Sequence, residues 1–324
     1  MQSTLVRNLG IVAAVAILAV FTVLAARERQ PATSPLAGTT VAATIFPLAD
    51  IARQIGGEHL GVVLLIPPGV SEHSQALSPQ QLQEVQRAQI IFQIGHGLDD
   101  GLTGRLAQAF PALRLVTVDR GISVREFGEE EQEDHEKEGH EDEATEAEED
   151  HDHDSGIDPH YWLTVPNAMK IAATMTQSLA EMDPEHAASY QRNFTAYQEQ
   201  LANLEEELQE AAHAIPRKEF IAMHNAWSYW ADHYGFRLVA TYEPVAGRDP
   251  SLADLQRLQA IIAQYNLTTF FAEPQKLSST VTNFVERELG LKVLILDPVG
   301  GLPETNSYIE LMRFNMRSLA EGAR

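Results

Sequence analysis

The sequence predicts an α/β protein of two lobes, each a parallel sheet flanked by helices, joined by a long rigid helix. Three observations carry this: β-branched apolar runs that alternate with helical stretches, a second set of the same kind, and one unbroken helical stretch between the sets. Such alternation argues for parallel sheets covered on both faces. The length agrees. The chain has 324 residues, and a single core rarely grows past ~250–300.

In the first set, strands are predicted at 40–46, 61–66, 89–94 and 114–118, with helices at 48–55, 79–88 and 98–109. Ser78 followed by Pro79 is a strong helix start: the hydroxyl caps a free N–H, and proline is pre-shaped for the first turn. The second set has strands at 219–223, 237–241, 267–272 and 292–296 and helices at 226–234, 252–265, 279–289 and 308–320. Ser251 with Asp254 approximates a capping box.

Between the sets, Asp183 is expected to cap and Pro184 to start a helix that runs to Ala214, since Pro216 is the next breaker. At ~1.5 Å per residue this is a rod of roughly 45 Å. Phe194, Tyr197, Leu201, Leu204, Leu208 and Ala211 recur at helical steps and form one apolar stripe. The stripe spans only about two and a half heptads, short for a coiled-coil dimer. A helix laid across both lobes of a monomer is therefore expected. The resulting division is 1–38, 39–183 for the first lobe, 184–214 for the spine and 215–324 for the second lobe.

Composition excludes several functions. The formal charge is −23, from 46 acidic and 23 basic side chains, and such a surface repels a phosphate backbone, so no nucleic-acid partner is expected. There is no cysteine, which removes disulfides, thiolate metal sites and a cysteine nucleophile. Soft-metal chemistry must come from the 12 histidines and from carboxylates. Residues 129–154 hold 16 acidic side chains against one lysine, together with His135, His140, His151 and His153. With almost no large apolar residues, 129–155 reads as a disordered insertion in the first lobe and an accessory collector of divalent cations. At the other extreme, residues 9–26 form an apolar run between Arg7 and Arg27. It predicts export, by a cleaved signal peptide or by an uncleaved anchor in the inner membrane, with 30–38 as a tether.

In open α/β sheets, ligands bind beyond the carboxyl ends of the strands. His224 directly follows strand 219–223, Asp297 follows 292–296, His73 lies in the loop after 61–66, and His160 ends the first set. Three imidazoles and one carboxylate suit a tetrahedral Zn²⁺. At these motifs the chain resembles the metal-binding proteins of bacterial ABC importers, in the zinc-uptake (ZnuA-like) branch. The resemblance rests on Ile-Phe-Pro-Leu-Ala-Asp at 45–50, Pro-Pro-Gly-Val-Ser-Glu-His at 67–73, Asp-Pro-His-Tyr-Trp-Leu at 158–163, His-Asn-Ala-Trp at 224–227, Ala-Glu-Pro-Gln at 272–275 and Leu-Asp-Pro-Val-Gly at 296–300. Six motifs in order are specific where each alone is weak. The resemblance implies the fold of metal-specific solute-binding proteins, and metal ligands at His73, His160, His224 and Asp297. It also implies high-affinity capture of extracytoplasmic zinc and delivery to a membrane permease. The charged histidine-rich insertion before His160 is similar to that of the zinc branch. The manganese branch tends to use a carboxylate where His224 stands, which leaves a manganese- or iron-binding protein as the alternative within the family.

Other residues receive subordinate roles. Glu72 is a possible accessory ligand beside His73, Asp158 orients His160 through its other ring nitrogen, and Glu273 shapes its turn. His96 is a minor accessory candidate. Trp162, Trp227 and Trp230 are expected to pack, and His59, His186, His213 and His233 to carry no metal. A zinc-dependent hydrolase is the alternative from another class. It is disfavoured by the lack of a His-Glu-x-x-His helix or Gly-x-Ser-x-Gly elbow, and no enzymatic activity is expected. An anchored metal buffer without a permease is the third reading.

Overall fold

The strands of both sheets are apolar on successive residues, and helices cover both of their faces. The computed structural model describes residues 39–127, 156–242 and 252–324. The apolar run at 9–26, the insertion at 129–155 and Ser251 lie outside the described residues. The first sheet has the order β2-β1-β3-β4, from β1 (Thr39–Ala43), β2 (Leu60–Leu64), β3 (Ile90–Gln93) and β4 (Arg114–Thr117). The second has the order β10-β9-β7-β8, from β7 (Glu219–Ala222), β8 (Arg237–Thr241), β9 (Thr269–Ala272) and β10 (Lys292–Ile295). All pairings in these two sheets are parallel. The two orders are one topology: in each lobe the first and third strands are central, and the second and fourth form the edges. A small antiparallel pair, β5 (Arg125–Glu126) and β6 (Ile157–Asp158), ends the first lobe.

Side-chain alternation divides the second lobe cleanly. Phe220 and Ala222 of β7 and Phe271 of β9 face the main apolar core, whereas Ile221, Phe270 and Ala272 face a smaller core. That is the period of two expected when a strand is buried on both sides. The smaller core includes Leu258 of α7 (Leu252–Tyr265) and Val281 and Val285 of α8 (Ser279–Arg287). The main core is continuous through the first sheet, α1 (Phe46–Gly56), the spine and α9 (Tyr308–Gly322). The lobes are thus welded along one side by shared apolar packing.

Helix starts obey local chemistry. Ser78 caps α2 (Pro79–Val85) by accepting from the Gln81 N–H, while the Gln81 side chain accepts from the Ser78 N–H, a complete capping box. Gln81 Nε2 also donates to Leu65 O, at 2.5 Å, which pins the helix start to the end of β2. Helix α3 is Asp100–Ala109, and α6 (Ser228–Tyr234) stops at Gly235, whose φ of 73° is left-handed and favours glycine.

The region between the lobes departs from expectation in two respects. The spine is α5 (Ala187–Ala214), 28 residues long, but it begins three residues after Pro184. Asp183 does not cap it. Its carboxylate instead accepts from Thr39 Oγ1, the His186 ring and Tyr190 Oη at 2.8–3.0 Å, and so ties the turn to the first strand. The second departure is α4 (Val165–Met182), which the sequence reading leaves without a helix. It packs along α5. Its buried face, including Ala168, Ala172, Thr174, Thr176 and Ser178, is rich in small and hydroxyl-bearing residues. These dilute the apolar period on which a sequence reading relies. The spine stripe is buried through Tyr190, Tyr197, Leu201, Leu204, Leu208 and Ala212, within this one chain.

Candidate metal centre

His224 stands two residues past β7 and Glu273 directly follows β9, the two central strands of the second sheet. Connections leave those strands in opposite directions, which opens a crevice at their carboxyl ends. His224 fills it, with Nδ1 at 3.1 Å from Glu273 Oε1. Both side chains are buried. From the first lobe, His160 precedes a 3₁₀ turn (Tyr161–Leu163) and sets its Nδ1 2.9 Å from Asp158 Oδ1. A carboxylate accepts from Nδ1–H, so in each ring the neutral tautomer presents the Nε2 lone pair. Asp158 thus has the orienting role expected of it. Glu273 does more than shape a turn, since it is the corresponding partner of His224.

His73 and Glu72 complete the group from the loop between β2 and α2. His73 Nε2 lies 3.4 Å from His224 Nε2. Glu72 Oε1 lies 3.9 Å from His160 Nε2 and 3.8 Å from His224 Nδ1. Ligand atoms of Glu72, His73, His160 and His224 all fall within 4.8 Å of one another. Tetrahedral donors at a Zn–N distance of ~2.0–2.1 Å stand about 3.3 Å apart, so the His73–His224 separation already matches one edge of such a shell. His73 is half-buried and the other three are buried.

Among the described residues, no other residue donates a hydrogen bond to either oxygen of Glu72, although the residue is 1% exposed. Burial, reinforced by the nearby Glu273 charge, pushes its carboxyl up to about 7, against the opposing influence of His224, Lys276 and its own backbone N–H. A buried carboxylate without donors is costly unless a cation joins it. Asp297 is the reverse case. Its Oδ1 accepts from Gln275 Nε2, Val299 N and Gly300 N at 2.8–3.1 Å, and its Oδ2 accepts from Thr305 Oγ1 at 3.1 Å. It lies outside the four-residue group. The structure therefore gathers three of the four expected ligands, His73, His160 and His224, and adds Glu72 to them. His96 is turned aside onto Asp119 at 2.9 Å, His233 bonds Glu205 at 2.6 Å, and His59 stacks on His186. Trp162, Trp227 and Trp230 are fully buried. His135, His140, His151 and His153 lie outside the described residues.

Fold and site together define a two-lobed binding protein with a cluster that could hold a metal ion in the crevice between two parallel sheets. The family described as "Zinc-uptake complex component A periplasmic" matches residues 41–322, and the chain belongs to it. It is 30% identical over 293 residues to the high-affinity zinc uptake system protein ZnuA of Brucella abortus, covering 82% of this chain and 86% of that one. It is 25% identical over 288 residues to the zinc-binding lipoprotein AdcA of Streptococcus pneumoniae, covering 87% of this chain but 55% of AdcA, so the chain spans about half of that relative. The manganese-binding lipoprotein MntA of Halalkalibacterium halodurans is 25% identical over 291 residues, with 88% of each chain covered. A crystal structure of ZnuA superposes with a TM-score of 0.71 at 26% identity, over 89% of this chain and all of that one. Among the described residues, no helix is long and apolar enough to cross a membrane.

Proposed function

We propose that this chain captures Zn²⁺ outside the cytoplasm and hands it to the membrane permease of a metal ABC importer. The observation that carries the reading is the convergence of three imidazoles on a buried carboxylate to which no other described residue donates a hydrogen bond. We assign Glu72, His73, His160 and His224 as the ligands, with Asp297 held as a structural acceptor. Three nitrogens and one oxygen form a borderline-soft set that favours zinc over manganese, which prefers oxygen-rich shells. The names of the zinc-uptake relatives support the same choice; the similarity to MntA supports the manganese alternative. The carboxylates of Glu273 and Asp158 raise the basicity of the two imidazoles they face and add negative potential for a dication. His73, the half-buried ligand, stands where an ion enters. The apolar run at 9–26 supports export, as signal peptide or anchor, and four protein ligands would close the position that a hydrolytic zinc keeps open.

Competition of the purified chain against a zinc chelator, repeated with Mn²⁺, tests the reading. One tight zinc per chain is expected, weaker manganese, and severe loss in His224→Ala with the fold retained by circular dichroism. Tighter manganese, or a His224→Ala variant that binds like the parent, would overturn it. Co-purification of the chain with a membrane permease tests the partner.

A further inference from the structure

We propose that Trp162 and Tyr308 are positioning residues of the metal centre, which hold His160 in register with the half of the site carried by the second lobe. The proposal rests on the metal-binding reading above. By sequence, His160 and its 3₁₀ turn belong to the first lobe. Tyr161 Oη keeps a bond to Ile94 O of that lobe at 2.7 Å, but the two bonds of Trp162 run to the second lobe. Tyr308 Oη, at the start of α9, donates to Trp162 O at 2.8 Å. Trp162 Nε1 donates to Pro298 O at 2.8 Å. One residue earlier, Asp297 is clamped by Asn315, also on α9: the amide nitrogen of Asn315 donates to Asp297 O, and its oxygen accepts from Asp297 N, both at 2.8 Å. The bonds form a closed ring, from α9 to Trp162, to the Asp297–Pro298 segment, and back to α9. On the other side of His160, Tyr229 Oη donates to Asp158 O at 3.2 Å.

Trp162, Tyr308 and Asn315 have no exposed surface. Breaking any bond of the ring leaves a buried polar group without a partner, so the ring is stiff. Its anchor is stiff too, because the Tyr308 N–H donates to Asp50 Oδ2 of α1 at 2.8 Å. The Trp162 ring lies beside His160, with centroids 5.2 Å apart, so the ring of bonds ends on the ligand's own neighbour. Metal sites lose affinity when a ligand drifts by about 0.5 Å. Bonds that served only stability could close within one lobe; these span the lobes and attach two residues from a ligand.

The test compares Tyr308→Phe and Trp162→Phe with Tyr190→Phe, which removes a buried hydroxyl that bonds Asp183 far along the chain from any ligand. Zinc affinity by chelator competition, the visible spectrum of bound Co²⁺ and the melting temperature of the metal-free protein are read for each. Tyr308→Phe and Trp162→Phe are expected to weaken zinc by about tenfold or more and to alter the Co²⁺ spectrum. Tyr190→Phe is expected to lower the melting temperature while affinity and spectrum stay those of the parent. Parental affinity and spectrum in Tyr308→Phe, or equal weakening in Tyr190→Phe, would overturn the proposal. Failure of the parent itself to bind zinc would overturn the metal reading beneath it.

Discussion

Glu72 and Asp297 are both carboxylates at 1% exposure, each in a loop beyond the carboxyl end of a strand. Around Asp297 the loop folds back so that two backbone N–H groups, a carboxamide and a hydroxyl all point at its oxygens. Around Glu72 no other described residue donates to its oxygens, and three imidazoles stand instead. Donors that belong to the chain stabilise the anion permanently, and a carboxylate so satisfied is an architectural part of its loop. A carboxylate among lone pairs is stabilised as an anion when a cation joins it. What separates the two acids is therefore the supply of N–H and O–H groups, since burial is the same, and on this difference rests the proposal that Glu72 is the ligand.

The sharpest way to break this comparison is to neutralise each acid in turn. Glu72→Gln should weaken zinc by more than the ~100-fold that marks loss of an outer partner, measured by chelator competition, whereas Asp297→Asn should bind zinc tightly. The opposite ranking would restore Asp297 as the ligand. Next in size is Glu273→Gln, which replaces the carboxylate facing His224 Nδ1; a loss of about 10–100-fold is expected. Parental affinity would return Glu273 to a turn-shaping role.

Acidity gives a third test. The Glu72 carboxyl is raised from 4.5 to about 7. A group with a raised folded pKa contributes stability that is present below its unfolded value and lost as pH rises through the folded one. The metal-free protein should therefore lose stability between pH 4.5 and 7, and Glu72→Gln should flatten that slope. Asp99, pushed up to about 6 by burial, contributes in the same direction and remains in the variant. Zinc binding should run the other way and strengthen as pH rises through this window, because ligation needs an ionised Glu72 and neutral imidazoles. Urea unfolding of both proteins across pH measures the first effect, and zinc titration the second. The smallest effect belongs to the exposed pair of Arg313 on α9 with Glu207 on α5, 2.7 Å apart. Arg313→Ala should cost about 1 kcal/mol or less by denaturant unfolding and leave zinc affinity at the parental value; a large loss would mean that the spine sets the site through this clamp.

Much of the architecture was legible in the amino-acid order. The β-branched apolar runs and Ser78-Pro79 are local signals, and local signals survive without a fold. The helix at α4 was missed because its buried face uses alanine, serine and threonine, whose burial comes from packing against α5. Asp183 was misread as a cap for the same reason: its side chain has partners at Thr39 and Tyr190 that no local rule could rank above the helix start. At the site, His73, His160 and His224 were visible because each stands at a strand end or in a dense motif.

Two α/β sets, a helical spine, the lack of thiolate chemistry and three imidazoles placed to meet follow from the amino-acid order alone. Which carboxylate stands within reach of them depends on the packing of the folded chain. Glu72 and Asp297 carry the same functional group at comparable positions, and they differ in whether distant hydroxyl and amide groups reach them. Gln275 and Thr305 are brought to Asp297 by the fold of the second lobe, and His224 is brought to Glu72 across the crevice. Such three-dimensional supply of donors has no period and no fixed spacing along the chain, and so a reading of the chain alone could not assign it.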